Sequence, residues 1–219
     1  GLLYSTLGRL YAMRYWVKTP RIIQLIFSRL LWRMSPARLV VYLTFDDGPN
    51  SSSTNEILKI LNEENIKGTF FCIGENVVKH PEIFQKIIDK GHSIGNHSMS
   101  HINGWKVNKN KYLEDVEKAS KIIKSNLFRP PFGKLNFRST SELKKKFKIV
   151  MWDINSGDFD KKLKSSQVVD NVLKNSRNGS VIVLHDNKKF KQCTVDALVP
   201  IIKGLKSKGF SLEAIPFNP

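Results

Sequence analysis

Cysteine is scarce: the 219-residue chain has two, Cys72 and Cys193. Two thiols cannot define a disulfide framework, and Cys72, inside the apolar run Thr69-Phe70-Phe71-Cys72-Ile73, reads as a buried free thiol. Long hydrophobic runs are missing too. The best candidate, from Ile22 to Trp32, is too short and interrupted to span a bilayer, and no secretory leader stands out. The compartment is therefore left unassigned. There is no Gly-rich phosphate loop, no ribonucleoprotein aromatic motif and no zinc-finger spacing, so a nucleic-acid partner is not expected. Repeats and low-complexity tracts are absent as well. Negative charge is the last deficit. The first acidic residue is Asp46, and the whole chain sets 36 Lys and Arg against 19 Asp and Glu, for a net charge of +17. Such an imbalance favours anionic partners, among them acidic polysaccharide, cell wall and membrane surface, although a basic surface can also serve solubility alone.

What is present is ordinary globular material, 41% hydrophobic and 25% charged, in a length suited to one core. Two regions are expected. Residues 1–39 form a basic, apolar segment whose helical stretch at 22–32 should pack on the main domain, with an interfacial helix as the alternative. Met13 offers a second start point, which would make residues 1–12 foreign to the native chain. Residues 40–219 form the main domain. There, apolar β-rich runs fall at 40–45, 68–73, 93–95, around Phe128, and at 148–152, 180–184 and 210–215. Helical patterns separate most of them, at 54–65, 81–90, 112–124, 165–175 and 194–208. Continuous apolar strands are those buried on both faces, as in a parallel sheet covered by helices. Polar residues able to do chemistry follow the strand ends: Asp46 and Asp47, then His97, Arg129, Asp153 and His185. An open sheet would spread these along a line, whereas a barrel gathers strand ends at one mouth. The expected fold is a distorted (β/α) barrel of about seven parallel strands.

His97 and His101 are four residues apart, a spacing that suits two imidazoles on one ion and equally suits two unrelated surface histidines. Asp47 is the natural third ligand, and two histidines with one carboxylate leave coordination positions open for water and substrate. Such a set suits Zn2+ and does not exclude Co2+, Ni2+ or Mn2+. Asp46 stands beside Asp47, and adjacent carboxylates disfavour each other's ionisation unless a metal takes one and an arginine the other. A plain Asp-Asp-Gly-Pro turn would explain Gly48 and Pro49 but not the distant histidines.

These segments resemble the motifs of polysaccharide deacetylases with the NodB homology domain, carbohydrate esterase family 4. Thr44-Phe45-Asp46-Asp47-Gly48-Pro49 matches the first motif in full, and His97-Ser98-Met99-Ser100-His101 matches the second. The likeness extends over about residues 40–216. It implies a metal-dependent hydrolase that removes acetyl groups from N-acetylated, or O-acetylated, sugars of an acetylated glycan such as chitin oligosaccharide or peptidoglycan. Asp46 would be the general base, and Asp47, His97 and His101 the metal ligands. Arg129 would pair with Asp46, and the backbone N–H of Phe132 would help hold the oxyanion. His185 would be the general acid, oriented by Asp158, while Leu184 would line the acetyl pocket. Phe132 stands where the family usually has tyrosine, and Phe159 where it usually has tryptophan. Phe159 then offers a smaller apolar wall to His185 and the sugar, which bears on substrate preference. The alternatives are a non-sugar amide or imide hydrolase on the same scaffold, or a silent glycan-binding protein.

Other features read more plainly. Trp152 is expected in the core, and His80 and His92 at the surface or at helix ends. Asn50-Ser51-Ser52 fits a glycosylation acceptor pattern too short to carry weight.

Overall fold

The computed structural model describes residues 15–219, so the reading of residues 1–12 lies outside it. Eight strands, all but β5 and β6 separated by helices, follow the order expected of a β/α repeat. The strands are β1 (Val40–Asp46), β2 (Thr69–Cys72), β3 (Ser93–Asn96), β4 (Leu127–Phe128), β5 (Lys148–Ile149), β6 (Ile154–Asn155), β7 (Val181–His185) and β8 (Ser211–Leu212). They pair in parallel along the path β5-β4-β3-β2-β1-β7-β6, with β8 added beside β1. The distorted barrel expected from the strand pattern is the architecture found.

Closure depends on one stretch. One strand was expected over 148–152, but the strand there stops at Ile149 and a second one follows at 154–155: β5 pairs with β4, and β6 pairs with β7. The N-terminal segment fills the split. Leu31 N–H donates to the Ile149 carbonyl at 2.8 Å and Met151 N–H to the Leu31 carbonyl at 2.7 Å, while Thr19 N–H reaches the Asp153 carbonyl at 2.9 Å. These bonds satisfy backbone groups that a seven-strand barrel cannot pair for itself. They also explain why the helix expected at 22–32 is shorter. It runs over Arg21–Ile26 (α1), buries none of its residues, and gives way to extended chain that can reach β5.

The remaining helices are α2 (Thr54–Glu63), α3 (Gly74–Lys79), α4 (Pro81–Asp89), α5 (Lys109–Ser120), α6 (Thr140–Lys146), α7 (Ser165–Asn175) and α8 (Lys191–Ser207). Short α3 and α6 were not anticipated. Helix α5 starts three residues before the expected Tyr112, because the Asn108 side chain caps it by accepting from Lys111 N–H.

All of β1 is buried, yet its two faces differ. Val41, Leu43 and Phe45 join the cluster under the helices, with Ile182 and Leu184 of β7. Val40 and Tyr42 join Phe71 and Val181 inside the barrel. The alternation of a strand therefore carries the inward row Val40, Tyr42, Thr44, Asp46 up to the mouth. His92 corrects a surface reading: it is 4% exposed, and its Nδ1 accepts from Gly68 N–H at 3.1 Å. Burial lowers its pKa to about 4, so it stays neutral.

Candidate active site

The mouth opens into a cavity of about 570 Å³ lined by Asp46, Asp47, His97, His101, Phe132, Trp152, Phe159 and His185, among others. Asp46 ends β1 and Asp47 follows it with φ 81°. Ser98 at 64°, His101 at 57° and Phe132 at 60° share this left-handed backbone. For residues with a Cβ each such conformation costs on the order of 1–3 kcal/mol, and here four cluster around one cavity. Polar supports hold them. Asn96 Oδ1 accepts from Ser98 N–H at 2.7 Å, and Asp115 accepts from Met99 N–H at 2.8 Å and from Ser100 Oγ–H at 2.6 Å.

The loop after β1 is fixed from below by Asp186, which is fully buried. It accepts from Ser53 Oγ–H and Thr54 Oγ1–H, both at 2.6 Å, and from Asn50 Nδ2–H at 3.1 Å. Burial raises the Asp186 pKa to about 6 against those hydrogen bonds. The Asn50 side chain is thus spent on the fold: Oδ1 also accepts from Ser52 and Ser53 N–H at 2.9 and 2.8 Å, which removes the glycosylation reading.

Asp47, His97 and His101 offer one ligand atom each within 4.8 Å of one another. Asp47 Oδ1 lies 3.3 Å from His101 Nε2 and 3.6 Å from His97 Nε2. His97 Nδ1 meets the Arg129 carbonyl at 2.8 Å, so that nitrogen carries the proton and the Nε2 lone pair faces the cavity. Asp47 Oδ2 accepts from Asn187 Nδ2–H at 2.9 Å. Burial outweighs the neighbouring carboxylates and lowers the His97 pKa to about 4, which leaves the ring neutral. For Asp47, burial opposes ionisation, but the His101 hydrogen bond and the nearby histidines prevail and hold it below the usual carboxylate range. Two imidazoles with one carboxylate make a donor set that fits a divalent transition metal.

Arg129 flanks this group, fully buried. Its Nη1 donates to Asp46 Oδ1 and to Thr44 Oγ1, both at 2.7 Å, Nε to the Val150 carbonyl at 3.1 Å, and Nη2 to the Met151 carbonyl at 2.9 Å. The guanidinium lies 4.2 Å from the Phe71 ring centroid. On the other flank, His185 Nδ1 pairs with Asp158 Oδ1 at 2.7 Å, and Asp158 Oδ2 accepts from His185 N–H and Thr194 Oγ1–H, both at 2.7 Å. Burial works against charge on His185, but Asp158 outweighs it and lifts the pKa to about 9. Phe159 packs edge-on against the His185 ring at 5.3 Å, and Phe132 sits 4.4 Å from the His101 ring.

Three expectations change. Leu184 points away from the cavity into the core under the helices, at 0% exposure, and Val183 lines the cavity instead. His185 faces inward, so strand alternation turns its neighbour outward. Trp152, expected in the core, is half-buried and forms part of the cavity wall. Asp153 does not reach the mouth: it pairs with Arg177 at 2.7 Å and accepts from Ser180 at 2.8 Å. Asn187, Thr194, Asn155 and Tyr15 were not singled out from the sequence. Tyr15 and Asn155 line the cavity, and burial lifts the Tyr15 pKa to about 12.

A family model described as polysaccharide deacetylase matches residues 34–150. A peptidoglycan-N-acetylglucosamine deacetylase of Bacillus cereus is 39% identical over 184 residues, which are 80% of this chain and 66% of that protein. The peptidoglycan-N-acetylmuramic acid deacetylase PdaC of Bacillus subtilis is 31% identical over 83% of this chain and 39% of its own length. The chain thus spans about two thirds of the first relative and well under half of the second. The crystal structure of a peptidoglycan N-acetylglucosamine deacetylase in complex with 4-naphthalen-1-yl-N-oxidanyl-benzamide aligns with a TM-score of 0.84 at 35% identity, over 90% of this chain and 95% of that one.

Proposed function

The chain belongs to the polysaccharide deacetylase family, and from that premise we propose that it removes acetyl from the N-acetylated sugars of a cell-wall glycan, peptidoglycan before neutral chitin oligosaccharide. One observation carries the chemistry: the Asp47, His97 and His101 donors converge between two differently armed flanks of one cavity. Asp46 and His185 are register partners on neighbouring strands, yet their side chains turn apart, one to Arg129 and the other to Asp158.

Amide hydrolysis needs an activated water, charge stabilisation and a proton for a poor leaving group. A divalent ion held by Asp47, His97 and His101, Zn2+ by the character of the donors, would supply water activation and carbonyl polarisation. Asp46, held in place by the Arg129 hydrogen bond, takes the proton of the attacking water. His185 carries a proton on Nε2 when Asp158 holds its Nδ1–H, and delivers it to the departing amine. Phe132, held in its strained backbone, offers its N–H to the developing oxyanion, and Val183 bounds the space for the acetyl methyl. The net charge of +17 supports an anionic wall polymer over a neutral one.

The test is metal content after purification together with acetate release from peptidoglycan fragments and chitin oligosaccharides. Asp46→Asn retains an oxygen acceptor for Arg129, so the protein should fold and hold its metal while turnover drops by about a hundredfold or more. A variant as active as the parent would refute the base assignment.

A further inference from the structure

Past the cavity, the rim continues into a shelf that the chemistry above does not use. Trp105 is 64% exposed and Phe137 is 55% exposed. Trp105 does not hang on a loose loop. Its indole Nε1–H donates to the Leu135 carbonyl at 3.1 Å, and its backbone N–H donates to Asn103 Oδ1 at 3.0 Å. The backbone beneath it is locked as well. Gly104 N–H donates to the Lys134 carbonyl at 3.1 Å, and the buried Asn136 side chain donates to the carbonyls of Gly104 and Val107, both at 3.0 Å. A Cβ on Gly104 would stand 2.4 Å from the Lys134 carbonyl oxygen and 2.6 Å from the Asn136 nitrogen, so this close approach requires glycine. The Phe137 ring is backed on one face by Phe27, at 5.5 Å in a stacked arrangement. A fold that fixes two aromatic rings while leaving them in water has built a binding surface, not a core.

Lys134 links the shelf to the cavity. It lines the cavity, and its Nζ lies 5.4 Å from the Trp105 ring centroid. Trp105, Phe137 and Arg138 border an adjoining hollow of about 410 Å³. None of the residues that line it is acidic; Lys109 on its edge is tied to Glu142, and Arg138 has no ion-pair partner among the described residues. The charge left to face a ligand is positive.

We infer that this shelf is a subsite for the sugars flanking the one deacetylated, and that it favours a glycan strand bearing carboxylates. The two rings take the C–H face of a pyranose, and Lys134 and Arg138 take the acid groups. The inference rests on the deacetylase reading, because the cavity must hold the acetylated sugar for the shelf to hold its neighbour.

Turnover is compared on three substrates: a carboxylate-bearing wall glycan strand, a neutral N-acetylglucosamine oligomer of equal length, and a small aryl acetate that fills the cavity alone. Trp105→Ala should lower the ratio of kcat/KM on either oligomer to that on the aryl acetate roughly tenfold, and Trp105→Tyr should restore most of it. Arg138→Glu should weaken only the carboxylate-bearing strand, with a smaller effect at high salt. An equal fall on all three substrates, or no fall on the oligomers, overturns the subsite. Binding of the strand to the Asp46→Asn protein, followed by tryptophan fluorescence and by sedimentation, separates the two readings. Binding that Trp105→Ala abolishes, with no acetate released by the parent from any substrate, keeps the shelf and removes the deacetylase. Aryl acetate turnover without strand binding does the reverse.

Discussion

Arg129→Met isolates the best-defined interaction at the site. The guanidinium is fully buried and makes four side-chain hydrogen bonds: to Asp46, Thr44 and the carbonyls of Val150 and Met151. Methionine fills most of the same volume but donates nothing. Asp46, 4% exposed, is then left as a buried carboxylate without its partner at 2.7 Å. Removing one member of a buried ion pair costs about 3–5 kcal/mol. At about 2–4 °C per kcal/mol for a chain of this size, the thermal midpoint should fall by roughly 6–20 °C. Urea unfolding followed by circular dichroism gives the same quantity independently. Adding Asp46→Asn should recover much of the loss, because a neutral amide needs no counter-charge, while activity stays absent throughout. The double-mutant cycle then reports the coupling of the pair directly. A Met variant with the parent's midpoint, or a double variant no more stable than it, would show that Asp46 does not depend on Arg129.

Three further expectations follow from the geometry. Leu184→Ala should cost about 2–5 kcal/mol of stability with little change in acyl preference, whereas Val183→Ala should let larger acyl groups compete with acetyl at small stability cost; acyl-ester series and urea midpoints decide, and the opposite pattern would restore Leu184 to the pocket. His185, with its pKa raised to about 9, is protonated at neutral pH, so kcat/KM should fall as pH rises through that region, and Asp158→Asn should move this alkaline limb down by more than one pH unit with metal content unchanged. The same pair contributes stability that is complete below the unfolded histidine pKa of about 6.5 and is lost as pH rises through about 9; urea midpoints at pH 6, 8 and 10 should show the decline in the parent and not in Asp158→Asn.

The barrel was legible because its strands are apolar runs and its reactive residues stand at their ends. Thr44 to Pro49 and His97 to His101 could be read as chemistry because few folds need those side chains in that order. The misreadings have physical causes. Leu184 and Val183 are both apolar, and only the inward direction of His185 tells which of them meets the cavity. Residues 148–152 read as one β-like run, yet nothing local announces that the strand beside β4 ends at Ile149 or that Ile154 and Asn155 pair with β7. Asn187, Thr194, Asn96 and Asp115 are ordinary polar residues whose roles arise from contacts distant in sequence or from turn geometry. Trp105 drew no attention because a lone tryptophan carries no motif, and its exposure is a property of the folded chain alone.

The join between β5 and β6 sets a limit on how short the protein can be made. The region matching the family begins at residue 34, but Leu31 and Thr19 already bond to the backbone of Ile149, Met151 and Asp153. Trimmed to that boundary, the sheet would have a raw margin of unpaired amides and carbonyls, which recruits strands from other copies and drives aggregation. The N-terminal strip therefore acts as a stopper against self-association, and its presence is as much a condition of solubility as any charge on the surface.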